Sequence, residues 1–391
     1  MNSFVVVFLK EVRENLRDRR TVLNTLLTGP LFAPLLFVLL INTVVTQELE
    51  KAEKPLPLPI VGAQYAPNLV AALKQQNVDV QPAPADAERA VREQDADVVL
   101  RIGADFGTYW GKGEPAQIEI IYDASQRFAS TQAGRLRALL EQYGERTGAM
   151  RLLARGLSPN VLRPLSLAER DQSTPQSRAS QLFSMLPYFF ILGGFIGGMA
   201  LAIDTTSGER ERQSLEPLLA NPVPRWQILG GKLGATSAFA TTSVLLSVLA
   251  FAVVGRFLPA GKTGMTLEIG PLFAAGTMLV MLPLTALLAT LQTLVAAFAK
   301  SYREAQTYVS LLMFVPAIPT MMLSFAPLKT QTWMYAVPLL SQQVIITRLL
   351  RGDFVPVSGF AMSIVGSVAA LTLAYALATA IYRSERLAIS A

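Results

Sequence analysis

Cysteine and histidine are both absent from the 391 residues. Without cysteine there is no disulfide framework, and without either residue there is no Cys/His metal site. Ser-His and Cys-His nucleophilic chemistry and histidine general-base chemistry are excluded with them. Charge is also scarce. Only 16% of residues are Asp, Glu, Lys or Arg, against 51% hydrophobic, where soluble domains carry about 25% charged. The charges crowd into 10–20, 48–178 and 208–232. A chain built this way is a membrane protein with one water-exposed insertion. The net charge of +6 does not point to nucleic acid, because the basic residues flank apolar runs instead of forming one face.

About 20 apolar residues cross a bilayer as a helix. Six stretches qualify: 22–45, 181–203, 227–255, 271–299, 304–326 and 357–382. The first is too long for the apolar core of a secretory signal, and VVTQELEK has no small-x-small cleavage site, so it reads as a retained anchor. Lys10, Arg13, Arg17, Arg19, Arg20, Arg210, Arg212, Arg225, Lys232, Lys300, Arg303, Arg383 and Arg386 then fall on one side. Arg256, Lys262, Lys329, Arg348 and Arg351 fall on the other. By the positive-inside rule the first side is cytoplasmic. With six spans both termini are cytoplasmic.

The expected fold is therefore an α-helical polytopic membrane protein with six transmembrane helices. A large extracytoplasmic α/β domain is inserted between the first and second spans. Residues 1–20 form an amphipathic interfacial helix, with Val5, Phe8, Leu9, Val12 and Leu16 on its apolar face and Lys10, Glu11, Arg13, Glu14 and Arg17 on the others. Residues 21–46 are the first span and 47–179 the α/β domain. Residues 180–391 hold five spans, an inner loop at 204–226 and an interfacial or re-entrant segment at 327–356 whose helix starts after Pro338. Within the insertion, LPLPIVG, VDVQP, ADVVLRI and AQIEIIYD read as strands. PNLVAALKQQ, DAERAVREQ and 129–155 read as helices.

Chemistry-bearing signals are few. RFLPAGKTG at 256–264 ends like a phosphate-binding loop, but the position five residues before the second glycine is Arg256, and no strand–loop–helix context surrounds it. Asp95, Asp97 and Asp123 read as turn and strand-end residues. The spans lack the carboxylates of an ion relay. Polar side chains at depth, among them Thr285, Gln292, Thr293 and Thr307, either line a path or bond neighbouring helices. Gly193/Gly197 and Gly194/Gly198 form two overlapping G-x-x-x-G pairs, which seat either a neighbouring span or the same helix of a second copy. No catalytic residue, cofactor site or metal site is expected on this chain. Uphill transport would need energy from another polypeptide.

GERERQSLEPLLANPVPRW at 208–226 is unlike its surroundings. Gly208 is expected to break the second span. Residues 209–219 then make a short helix with Leu215, Leu218 and Leu219 on one side, stopped by Pro222 and Pro224, and Trp226 anchors the next span. Such a stiff segment transmits force.

The pattern D-x-x-x-G-E-R-E-R-x-x-L-E-P-L-L, then P-V-x-R and G-K, runs from Asp204 to Lys232. It resembles the permease subunits of type-2 ABC exporters, in particular the NatB-like branch, named for sodium extrusion. LARGLSP, LPYFF and the span count support the likeness across nearly the whole chain. The resemblance implies a separate cytoplasmic ABC ATPase that carries ATP and Mg, a second permease copy in a homodimer or a paralogous heterodimer, membrane lipid around them, and a bacterial inner membrane location. It makes Glu209, Arg210, Glu211, Arg212, Leu215, Glu216, Pro217 and Leu218 the coupling segment to that ATPase. The apolar span walls suit an amphiphile, drug, lipid-like compound or peptide better than sodium. The other reading is a membrane-anchored sensor or scaffold whose outer domain binds a ligand or an extracytoplasmic partner. The C-terminal tail, RSERLAISA, is too short for a signalling domain. Replacing Glu209 and Arg210 is expected to uncouple hydrolysis from transport with the fold intact.

Overall fold

The computed structural model describes residues 3–37, 39, 43, 54–162, 165, 168, 170–214, 217, 222–257, 266–325 and 329–383. The chain forms two compact units, one of residues 1–43 and 172–391, the other of residues 44–171.

Helix α1 (Ser3–Arg17) opens the first unit. An apolar helical stretch follows at Thr25–Phe37. Most of the remainder of the expected first span, 38–45, lies outside the described residues.

The second unit is an α/β sandwich. Strands β1 (Leu56–Val61), β2 (Val78–Gln81), β3 (Val98–Ile102) and β4 (Ile118–Tyr122) form one sheet in the order β2-β1-β3-β4. They coincide with the four segments read as strands. β1 runs parallel to β2 and β3, and β4 closes the edge antiparallel. β1 contains Pro57 and Pro59, which cannot donate to a ladder. Both lie in the part of β1 that pairs with β2 alone; β3 joins only from Ile60. Leu56 makes the bond to the β2 side, donating to the Asn77 carbonyl at 3.0 Å.

Helices α2 (Pro67–Gln75), α3 (Ala87–Arg92), α4 (Phe106–Lys112) and α5 (Arg127–Ala154) cover the sheet. Leu56, Leu58 and Ile60 point to one face, with Leu69, Leu73, Ala133 and Leu136 against them. Val99 points to the other, against Ala87 and Val91. α3 starts where Asp86 accepts the Arg89 N–H at 3.0 Å, a side-chain cap for a donor with no helical partner. That bond holds the Asp86 carboxyl below its ordinary range. α4 was not read from the sequence. Trp110 on it stacks between Phe106 and Tyr143, with ring centroids 5.3 and 5.8 Å away. The Arg151 guanidinium lies 4.5 Å over the same ring. α4 is thereby fastened to the C-terminal half of α5.

The rest of the first unit is helical: α6 (Pro175–Leu182), α7 (Leu186–Ile203), α8 (Arg225–Gly255), α9 (Pro271–Ala296), α10 (Tyr302–Leu312), α11 (Ala317–Phe325), α12 (Leu340–Arg351) and α13 (Val357–Arg383). Five helices among the described residues are long and apolar enough to cross a membrane: Leu186–Glu211, Arg225–Gly255, Pro271–Ala296, Tyr302–Leu323 and Val357–Ile381. The second expected span differs at both ends. A turn at 183–185 delays it, and it continues past Gly208. Gly208 sits at φ −64° and ψ −46°, ordinary helix, so the glycine does not break the span.

α7 is the core helix, packed on both α8 and α9. Its glycines explain the close approach. Side chains at Gly193 and Gly197 would run into Ser247 and Ser243 of α8, and at Gly194 and Gly198 into Val244, Thr285, Gln292 and Thr236. Ser243 Oγ donates to the Gly193 carbonyl at 2.8 Å. Of the two partners left open for these glycines, the structure gives the neighbouring spans.

α12 does start after Pro338, and its first seven residues are buried. Gln342, fully buried, donates to Ser367 Oγ at 3.0 Å and to the Val280 carbonyl and Ser363 Oγ at 3.3 Å. Arg348 donates to the Tyr335 hydroxyl at 2.6 Å and Arg351 pairs with Asp353 at 3.2 Å. Both arginines thus find partners near the end of this inserted helix.

Candidate functional site

The charged stretch following α7 is folded onto the protein. Between α7 and the turn Glu209–Glu211 the backbone widens into a π-helical turn, Asp204–Gly208, a feature that recurs at functional sites. The helix then ends. Arg212 caps it, and Gln213 takes a left-handed φ of 57°. The helix expected over 209–219 is thus seen only at 209–211 and at Pro217. Leu215, Glu216 and Leu218 lie outside the described residues, as does the GKTG of the apparent phosphate loop.

The alternation of Glu and Arg has a local cause. Each side chain faces a different neighbour. Ser207 Oγ donates to the Ala296 carbonyl at 2.6 Å and Arg210 to the Ala299 carbonyl at 3.3 Å. Donors therefore meet the C-terminal end of α9. Glu211 accepts the Tyr302 N–H at 2.9 Å, so a carboxylate meets the N-terminus of α10. Positive groups at helix C-termini and negative ones at N-termini complement the helix dipole. Arg212 turns back to Asp204 at 2.9 Å, and this bond holds its guanidinium above the ordinary arginine value.

Glu209 turns inward. Its Oε2 lies 2.5 Å from Lys232 Nζ, and Lys232 is 1% exposed. The same ammonium is 3.5 Å from Glu11 of α1 and donates to the Thr205 carbonyl of the widened turn at 3.0 Å. Lys10 closes the group, 3.1 Å from Glu11 and 3.4 Å from Glu209. Partial burial pulls the Lys10 ammonium down, but the carboxylates of Glu11, Glu209 and Glu14 outweigh it and hold it above the usual lysine value. Two lysines and two glutamates, three of the four buried, thus join α1, the motif and the foot of α8.

α1 is seated on α8 by small residues. A side chain at Gly231 would meet Val7 and the Phe4 carbonyl, and one at Gly234 would meet Phe8. The buried line of α1 is Val7, Glu11 and Asn15, one per turn. Glu11, which the sequence places off the apolar face, is 2% exposed. Val5, Leu9 and Leu16 of the expected apolar face are exposed. The sequence reading missed Glu11 and Lys232 as site residues. The available signal was Lys232 itself, a charge seven residues into a span-length helix, which is a functional marker in a membrane protein.

The polar residues considered for a path do not form one group. Thr285 is buried and bonds Thr241 Oγ1 at 2.8 Å. Gln292 donates to the Phe195 carbonyl at 2.7 Å across to α7. Gln292 Oε1 and Thr293 Oγ1 are buried without a hydrogen-bond partner in the structure. Thr307 is exposed on α10 and bonds its own helix at the Arg303 carbonyl. Among the described residues no cluster of His, Cys, Asp and Glu could hold a metal ion.

Five span-length helices among the described residues mark a multi-pass membrane protein. The family model described as "ABC-2 family transporter protein" matches residues 25–381, and the chain belongs to that family. It is 25% identical over 371 residues to the ABC transporter permease protein NatB of Bacillus subtilis (strain 168), covering 93% of this chain and 94% of that protein. The family makes the chain a transporter subunit and implies a partner ATPase subunit.

Proposed function

We propose that the chain is the membrane-spanning half of an ATP-driven exporter, working as a pair of permease copies with a separate cytoplasmic ABC ATPase. The observation that carries this reading is the charged motif. One short stretch holds the ends of α9 and α10 and is ion-paired to Lys10 of α1 and Lys232 of α8. A push on it reaches four helices. The segment beyond it, through Leu218, is the proposed docking surface for the ATPase. The termini and the motif face the cytoplasm of a bacterial inner membrane, and the α/β unit faces outward.

ATP-driven closure of the ATPase pair would move these helices between two packed arrangements, an alternation of the kind interfaces support. The proposed cargo is an organic amphiphile, because the described spans are apolar and carry no carboxylate cluster suited to a bare cation. Sodium is the secondary candidate.

The position of Glu209 revises which mutation tests this. Glu209→Ala would leave Lys232 buried without its nearest counter-charge, so loss of fold and loss of coupling would be mixed. Arg210→Ala with Glu211→Gln leaves the buried group whole. That double variant is expected to retain the ATPase but to lose most efflux of amphiphilic dyes from cells. Efflux equal to the parent, with equal expression, would refute the assignment of this motif to coupling.

A further inference from the structure

We propose that Lys232 is a positioning residue of the transport cycle. Its ammonium clasps Glu209 to Glu11, so that the charged motif, the foot of α8 and the amphipathic helix α1 move as one body. The inference rests on the permease reading above.

The α1–α8 contact has an apolar and a charged part. Gly230, Gly231 and Gly234 let Phe4, Val7 and Phe8 approach closely, and Phe8 and Val12 pack on Leu201, Ala235 and Phe239. The ion pairs are directional. Lys232 reaches both Glu209 and Glu11, and Lys10 reaches the same two carboxylates from the half-exposed side. The quartet is neutral as a whole, so breaking one link strands a charge away from water. α1 turns Val5, Leu9 and Leu16 outward, where apolar groups meet lipid. The clasp therefore ties the motif to a helix suited to lie in the membrane surface. Movement of the motif would drag α1 through the interface.

The absence of cysteine makes site-specific spin labelling clean. Labels go on Arg13→Cys of α1 and Ala380→Cys of α13, both exposed, with labelled chain diluted into unlabelled chain so that distances within one copy dominate. The complex with its ATPase is compared without nucleotide and with ATP plus vanadate. The parent is expected to shift its 13–380 distance. Lys232→Met is expected to keep the ATPase bound in the same ratio and to lose that shift. Lys232→Arg should keep it, and the exchange Glu209→Lys with Lys232→Glu should restore it. A purely structural role would lower thermal stability and leave the shift in place, and that result overturns the proposal. A parent with no shift also overturns it.

Lys10→Gln with Glu11→Gln is the safer second variant, because it cuts both links to α1, Lys232–Glu11 and Lys10–Glu209, and leaves Glu209 on Lys232. It too must lose the shift. If no ATPase accompanies the parent chain, the permease reading fails by itself. The nucleotide-free distances of the chain alone then decide the clasp: broadening in the Lys10→Gln/Glu11→Gln variant supports it, and an unchanged distribution refutes it.

Discussion

An ammonium taken out of water is tolerated only where counter-charge and acceptors replace the lost hydration. Lys232 has Glu209, Glu11 and the Thr205 carbonyl within 3.5 Å. Removing one member of a buried pair costs about 3–5 kcal/mol, because the other is left uncompensated. Lys232→Met should therefore melt well below the parent in detergent, while Lys232→Arg should lose less. Equal melting for Met and parent would mean the pair has no structural weight. The α7 glycines give a second residue-scale prediction. A methyl at Gly197 would press on Ser243 Cβ and the Ala240 backbone, whereas at Gly193 it meets the rotatable Ser247 hydroxyl. Overpacking costs about 1–3 kcal/mol, and Gly197→Ala should lie at the upper end and Gly193→Ala at the lower. Monodispersity and melting of the two purified variants would show the order. Gly193→Ala as damaged as Gly197→Ala would argue against this packing.

At the scale of elements, the α3 cap carries a pH dependence. Asp86 is held below its ordinary range by the Arg89 N–H, so its contribution exists above the unfolded carboxyl value and vanishes as pH falls through the folded one. Hydrogen exchange over 87–92 should be faster in Asp86→Ala than in the parent at neutral pH, with the gap closing in strong acid. A gap that persists unchanged in acid would detach it from the carboxylate. The elements were unevenly legible. Strands β1 to β4 were readable because apolar residues alternate between turn signals. α4 was not, since FGTYWGK carries two glycines and too few residues for a helical period. The end of the second span was misplaced because Gly208 signals a break, yet its backbone is helical. The break belongs to Gln213, which nothing local announces. Glu11 falls off the apolar stripe of its helix in sequence, so nothing local marks it as buried. Only the tertiary arrangement, with Lys232 opposite, shows why a carboxylate belongs on the buried side.

For the whole molecule, the family and the span-length helices establish a multi-pass permease. The motif supplies the proposed route by which an ATPase moves it. Composition already excluded histidine and cysteine chemistry, and the G-E-R-E-R pattern with the later G-K marked the inner segment. Neither could say that the G-K lysine reaches back to Glu209. The measurement that bears most directly on the central claim is purification of the chain from its own cells in mild detergent, with its companions identified and ATP hydrolysis assayed. The account predicts a stoichiometric cytoplasmic ATPase that is lost when 210–218 is scrambled with Glu209 kept in place. A chain that purifies alone, or only with proteins bound to its α/β unit, would contradict it.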